Sequence, residues 1–460
     1  MNPDGEKWYW RYHDDIGMYR HDYEWYDVRL PEVILTPPDP PIGTGQSASI
    51  PVLKQRSYTG RDPVIPSALA DTLCSDLGIQ GLLENLNATL GTSHTLFTPW
   101  VYSVLGDCIS ENYDFGTAFA YLRPFWYYYL TAVVDDLPKC KVRYREMLQN
   151  VLVENTIIHT HVPPRRVWDL YSNRVVPWWD IVTPINGCEW PVPVPKNTSL
   201  DHIRIEMLNL GAEYVWLDVL CLRQKGGRRE DPSLREEEWK VDVPTIGNVY
   251  RRAERVVYYL SGLGQPLSSN TNDLESDRCW FKRAWTLQET SWNSIIAGDT
   301  GDEWLQAKFG EKVSSLQKTE WILYDALSEM QKRVSTHPVD KVAGLAYLLR
   351  SLRSIPVYCG AQSEEDAWMA LMVSEWDKLL LLFLHPTPGN GTQSWRPSWE
   401  QVMTEKLPSQ RWGQLATYNG GVQLVWTAEA MAGAYIFNNG FIIELALVRG
   451  LSEGDSQGQE

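Results

Sequence analysis

The chain has no long apolar run. Its strongest, Leu379 to Leu384, is six residues, against about 20 for a membrane-crossing helix. The aromatic stretch Phe119 to Val134 is longer but is interrupted by Arg123-Pro124. The opening Met1-Asn-Pro-Asp-Gly-Glu-Lys lacks the apolar core of a secretory signal, so a cytoplasmic chain is expected. Paired cysteines are missing too. The seven are odd in number and never spaced Cys-x-x-Cys, the pattern of reduced thiols rather than a disulfide or zinc framework. In that setting the sequons at Asn87, Asn197 and Asn390 read as chance matches. Basic excess is also lacking. With 42 Lys and Arg against 58 Asp and Glu, the net charge of −16 repels nucleic acid and anionic lipid instead of releasing their counterions. Of eight histidines, His159 and His161 alone suggest a ligand pair; without a third ligand they read as surface residues, and no metal is expected.

What is present is a globular composition, 43% hydrophobic and 22% charged, in 460 residues, enough for two or three domains. The 22 tryptophans are spread along the whole chain. They read as large core and interface groups. Stacking on carbohydrate is the alternative, though no convincing pair of carboxylates accompanies them. Residues 1–66 form an acidic aromatic segment, with eight Trp or Tyr in the first 26 positions, and a Pro-rich linker from Thr36. Residues 67–160 read as helical: Leu73, Leu77, Ile79, Leu82 and Leu86 share a face, and a further helix is expected over Tyr121–Val134. Residues 301–445 read as mainly helical and 446–460 as a disordered tail.

The span 165–300 alternates strand and helix patterns. Arg165-Arg-Val-Trp-Asp-Leu170 reads as a strand, and Ser199 caps a helix that Gly211 stops. Tyr214 to Leu222 is almost continuously apolar, as in a strand buried on both faces, with Asp218 its one charge. Trp239, Val243, Ile246, Tyr250 and Ala253 mark an amphipathic helix that Pro244 must kink or restart. Arg255 to Gly262 reads as a strand, Asp277–Trp292 as a helix, and Gly226-Gly227 as a turn. This order predicts an α/β parallel sheet with flanking helices.

Four ordered blocks, Tyr214–Gln224, Val243–Ala253, Trp280–Glu289 and Thr336–Leu345, carry a resemblance to the HET (heterokaryon-incompatibility) domain family of fungi. Tyr214-Val-Trp-Leu-Asp-Val-Leu-Cys-Leu-Arg-Gln224 is similar to the family's strand W-I-D-x-x-C-I-x-Q. Val243-Pro-Thr-Ile-Gly-Asn-Val-Tyr-Arg-Arg-Ala253 resembles I-P-x-M-x-x-I-Y-x-x-A. Trp280-Phe-Lys-Arg-Ala-Trp-Thr-Leu-Gln-Glu289 resembles W-x-R-G-W-T-L-Q-E, and Thr336 to Leu345 resembles x-D-K-V-Y-A-L-L-G-L. Together they span about 130 residues. Further on, Gln393 to Trp399 is similar to a Trp-Pro element found after such domains and reads as packing. The chain departs from the family at Val175–Thr183, where the first strand's closing serine is lacking and the strand is shortened.

The resemblance implies a TIR/flavodoxin-like sheet and self/non-self recognition or cell-death signalling, with other signalling proteins or a second copy as partners. The distant likeness to NAD-cleaving TIR domains implies that NAD is a substrate rather than a cofactor. It makes Glu289 the catalytic glutamate, an anion beside the ribose or the group that positions the ribose hydroxyls, with Asp218, Tyr250, Trp285 and Arg283 around the substrate. A single carboxylate suits that chemistry, because breaking the nicotinamide–ribose bond develops positive charge on the ribose. The same residues have a plainer reading. Trp285 and Leu287 are then core, Glu289 pairs with Arg283 or Arg251 or caps a neighbouring loop, and Asp218 holds a helix N-terminus. On that reading the domain is a non-catalytic interaction module.

Overall fold

The computed structural model describes residues 30–36, 57–123, 126, 142, 146–158, 162–177, 190–193, 199–226, 232–259, 277, 279–291, 293–298, 303–317, 323–349, 354–373, 385, 387–391, 396–407, 424–425 and 436–437. His159, His161, Gly227, most of Tyr121–Val134, Trp178–Thr183 and the 446–460 tail lie outside them. The fold is a mixed α/β arrangement of helices around small sheets. No helix among the described residues is long and apolar enough to cross a membrane.

After an antiparallel pair, Val33–Leu35 with Tyr58–Gly60, and a helical turn at Ser67–Ala70, come three longer helices: α1 (Cys74–Leu90), α2 (Val101–Ser110) and α3 (Phe115–Leu122). The apolar stripe places Leu82 and Leu86 of α1 in full burial, with Leu77 and Ile79 packed beside them. Gly78 interrupts the helix at φ 65. Strand β1 (Arg166–Asp169) turns through Asn173 into β2 (Arg174–Pro177), and β3 (Tyr214–Val215) pairs with the other edge of β1. Both pairings are antiparallel. Between them runs α4 (Leu200–Asn209), which Gly211 ends in the left-handed region at φ 82. Ser199 stands at its N-cap, but its hydroxyl makes no capping bond.

These elements share one apolar core, in which Leu82, Leu86, Phe119, Trp168, Ile203 and Leu208 all take part. Arg204 is buried within it, its guanidinium donating to the carbonyls of Ile65 (2.8 Å), Leu170 (2.7 Å) and Tyr171 (3.1 Å).

The expected strand Tyr214–Leu222 is only two residues long. After Leu217 the chain coils into the short helix α5 (Asp218–Cys221), closed by Cys221 N–H to Leu217 O at 2.8 Å and Leu222 N–H to Asp218 O at 2.9 Å. A short apolar run fits a buried turn of helix as well as a buried strand, because periodicity alone does not separate them. The Trp239–Ala253 stripe forms two helices, α6 (Pro232–Asp242) and α7 (Ile246–Arg252), restarted across Pro244.

Among the described strands, β4 (Val256–Tyr259) and β5 (Ser294–Ala297) pair in parallel. Alternation serves both faces of β4. Val256 and Tyr258 face Leu305, Phe309 and Val313 of α8 (Glu303–Gln317), while Val257 and Tyr259 pack toward the first core. The wound, all-parallel sheet expected from element order is therefore replaced by an antiparallel sheet and a separate parallel pair. Helices α9 (Leu323–Gln331), α10 (Val339–Ala346), α11 (Glu364–Val373) and α12 (Trp399–Thr404) build a further core around Leu327, Met330, Leu345 and Trp368. Trp399 packs there against Trp368 at 5.4 Å, and Ser398 with Gln401 forms a capping box at the start of α12.

Candidate functional site

The block from Trp280 to Glu289 is not the helix expected over Asp277–Trp292. It is two short 3-10 turns, Trp280–Lys282 and Trp285–Leu287. The cause is local competition for backbone groups. The Thr286 hydroxyl lies 2.5 Å from the Trp280 carbonyl and 2.8 Å from that of Arg283, and accepts from Arg333 Nη1 at 2.7 Å. Val334 meanwhile pairs with the backbone of Lys282 and Ala284. A side-chain oxygen that bonds nearby carbonyls offers the chain an alternative to the helical ladder.

Each residue of the turn has a separate task. Leu287 is fully buried in the core. Gln288 Oε1 accepts from the Gly247 N–H at 3.3 Å and so ties the turn to α7. Gly247 must be glycine, since a Cβ there would stand 2.1 Å from the Tyr347 ring. Trp285 turns away and lies against Tyr358 at 5.9 Å, packed on the core. In a helix over Asp277–Trp292, Trp285 and Glu289, four positions apart, would share a face; that face does not form.

Glu289 is half-buried. Its Oε2 accepts from Trp280 Nε1–H at 2.7 Å, and its carbonyl accepts from the Tyr258 hydroxyl at 3.3 Å. Tyr258 in turn accepts from the Ser291 N–H at 3.2 Å and meets the Trp280 ring edge-on at 5.2 Å. Burial pushes the Glu289 carboxyl up to about 7, and the charge of Asp218 adds to the rise. The Trp280 bond and the guanidinium groups of Arg283 and Arg333 oppose it without prevailing. Asp218, at the start of α5, is also raised by burial, against the Val219 N–H and Arg283. Tyr250, on α7, is held well above its ordinary value by burial and then by the charges of Glu289 and Asp218. The Trp216 ring meets Tyr250 edge-on at 5.6 Å.

Four of the five residues picked from the sequence, Glu289, Asp218, Tyr250 and Arg283, thus converge in space, each close enough to influence another's ionisation. The fifth, Trp285, belongs to the core. The convergent groups leave hydrogen-bonding capacity unused. Glu289 Oε1, the second Asp218 oxygen, the Tyr250 hydroxyl and the Arg283 guanidinium make no hydrogen bond among the described residues. Glu289 forms no ion pair with Arg283 or Arg251, one of the two forms the plainer reading allowed; its side-chain bond is to Trp280. Asp218 partly follows that reading, since one of its oxygens accepts from the Val219 N–H at 2.8 Å.

Sequence reasoning passed over Trp280, Tyr258, Trp216 and Arg333. Trp280 stood inside the quoted block, nine positions before Glu289, with no role assigned to it. Arg333 carried no signal at all. It arrives from beyond α9, buried, and burial pulls its guanidinium down to about 10 despite nearby Glu329 and Glu289. Among the described residues no group of three His, Cys, Asp or Glu is placed to hold a metal ion. A depression between α10 and α11 is lined by Val339, Val342, Ala346, Val357 and Leu371 together with Tyr358, Cys359 and Gln362; the Tyr358 hydroxyl is committed to Asp340 at 2.9 Å. Comparison with family models, with curated proteins and with solved structures gives no match to this chain.

Proposed function

We propose that the chain is a HET-type signalling protein of self/non-self recognition or cell death that cleaves NAD at Glu289. One observation carries the reading: Glu289, Asp218, Tyr250 and Arg283 gather with their outer polar groups unshared. The four blocks quoted above support the family, and the parallel β4–β5 pair with helices to either side supports its TIR-like layer.

In the reaction, the bond between ribose C1′ and the nicotinamide nitrogen breaks, and its electron pair leaves with neutral nicotinamide. The ribose becomes an oxocarbenium-like cation, which the Glu289 carboxylate stabilises. Water then adds at C1′ and gives its proton to that carboxylate, leaving ADP-ribose. A base with its midpoint at about 7 is matched to this task near neutral pH. Tyr250 and Trp216 offer aromatic surface to the bases, and Arg283, exposed beside them, a cation for the pyrophosphate.

The test is NAD content in cells expressing the full chain beside cells expressing Glu289→Gln. NAD falls with the first and holds with the second. Equal NAD in both overturns the enzymatic reading in favour of a non-catalytic module that signals by self-association or partner binding.

A further inference from the structure

An indole N–H can only donate, whereas a carboxyl group offers two oxygens that differ only in their surroundings. At Glu289 the surroundings differ sharply. Oε2 is taken by Trp280 Nε1–H at 2.7 Å, and Oε1 has no hydrogen-bond partner among the described residues. A protonated Oε2 would be left to accept from the indole through its weaker hydroxyl lone pair, whereas a carbonyl-type Oε2 accepts well. The proton that Glu289 carries is therefore favoured on Oε1.

Trp280 is itself fixed. Its ring meets Tyr258 edge-on at 5.2 Å and Phe281 at 5.1 Å, and its carbonyl accepts from the Thr286 hydroxyl. Tyr258 grips the backbone of the same glutamate through the Glu289 carbonyl. Side chain and main chain of Glu289 are thus held by an aromatic pair, and Oε1 is left without a hydrogen bond among the described residues.

We infer that Trp280 is a positioning residue of this site: its indole N–H holds Glu289 Oε2 and leaves Oε1 as the oxygen that takes up and releases the proton. The inference rests on the proposed reaction for its catalytic consequence, but the proton placement can be observed without any substrate. Because the indole bond favours the ionised carboxylate, it also keeps the midpoint of Glu289 lower than burial alone would set it.

The full chain is labelled with 15N-tryptophan, and the indole resonances are followed against pH. The Trp280 signal is assigned by its loss in Trp280→Phe, which keeps an aromatic ring against Tyr258. The Trp280 signal titrates with a midpoint near the value of about 7 set for Glu289, and stops titrating in Glu289→Gln. In NAD cleavage, Trp280→Phe lowers kcat roughly tenfold or more, as expected for losing a hydrogen bond to a charged group. KM stays within about twofold, because the substrate-facing groups are untouched. The rising limb of the pH profile moves to higher pH. A Trp280 indole that ignores pH between about 5 and 9, or a pH limb that stays in place in Trp280→Phe, overturns the inference. If the wild-type chain leaves NAD intact, the proposed reaction fails, and the indole titration still decides the role of Trp280.

Discussion

Glu238 and Glu289 are both enclosed glutamates, and the protein treats them in opposite ways. Burial pulls both upward. At Glu238, on α6, Arg166 overcomes that pull with two bonds of 3.0 and 2.7 Å and its full charge, helped by Arg165 and Arg223, and the carboxyl ends below its ordinary value. Trp190 lies 5.0 Å from the Arg166 guanidinium and 5.1 Å from that of Arg223, completing a closed network. At Glu289 the nearest help is one indole N–H, and a second acid stands close by, so burial prevails and the carboxyl rises to about 7. An acid whose oxygens are fully matched by cations joins elements of the fold. An acid left with a free oxygen beside another acid keeps its proton exchangeable near neutral pH, as proton-transfer chemistry requires.

Breaking the closed network should have the larger effect on stability. Glu238→Ala leaves Arg166 buried without its partner, with an expected loss of about 3–5 kcal/mol in urea unfolding. The open site should respond to pH instead. Glu289 holds its proton more tightly folded than unfolded, so its contribution to stability is complete below about pH 4.5 and is lost as pH rises through about 7. Glu289→Gln should therefore match the wild type at pH 4 and exceed it at pH 8 by up to about 3 kcal/mol. A variant no more stable than wild type at pH 8 would show that Glu289 is not held protonated by its surroundings. The smallest effect tests the acid pair. Asp218→Asn removes the charge that raises Glu289, so the rising limb of NAD cleavage should move to lower pH.

Elements that rest on apolar period were legible in the sequence. The α1 stripe through Leu82 and Leu86, the restart at Pro244 and the two-faced strand at Val256–Tyr259 follow from spacing and from proline's missing N–H. Elements decided by hydrogen-bond competition were not legible. Asp277–Trp292 has helical spacing, yet Thr286, Arg333 and Val334 claim the backbone groups a helix would use. Tyr214–Leu222 has the apolar content of a strand, but only its first two residues find a partner, in β1. The candidate site divided in the same way. Glu289, Asp218, Tyr250 and Arg283 were visible as polar residues in marked blocks, whereas Trp285 went to the core once the helix face it shared with Glu289 failed to form.

By itself, then, the sequence determined which residues are apolar enough to be covered and which charged groups stand out among them, because both follow from side-chain chemistry and local spacing. Only the tertiary structure decided that Glu289 meets Trp280, Asp218 and Tyr250 while Glu238 meets Arg166 and Arg223. Those encounters join positions from nine to 72 residues apart, and the ionisation of a buried acid depends on the neighbours that arrive rather than on the acid itself.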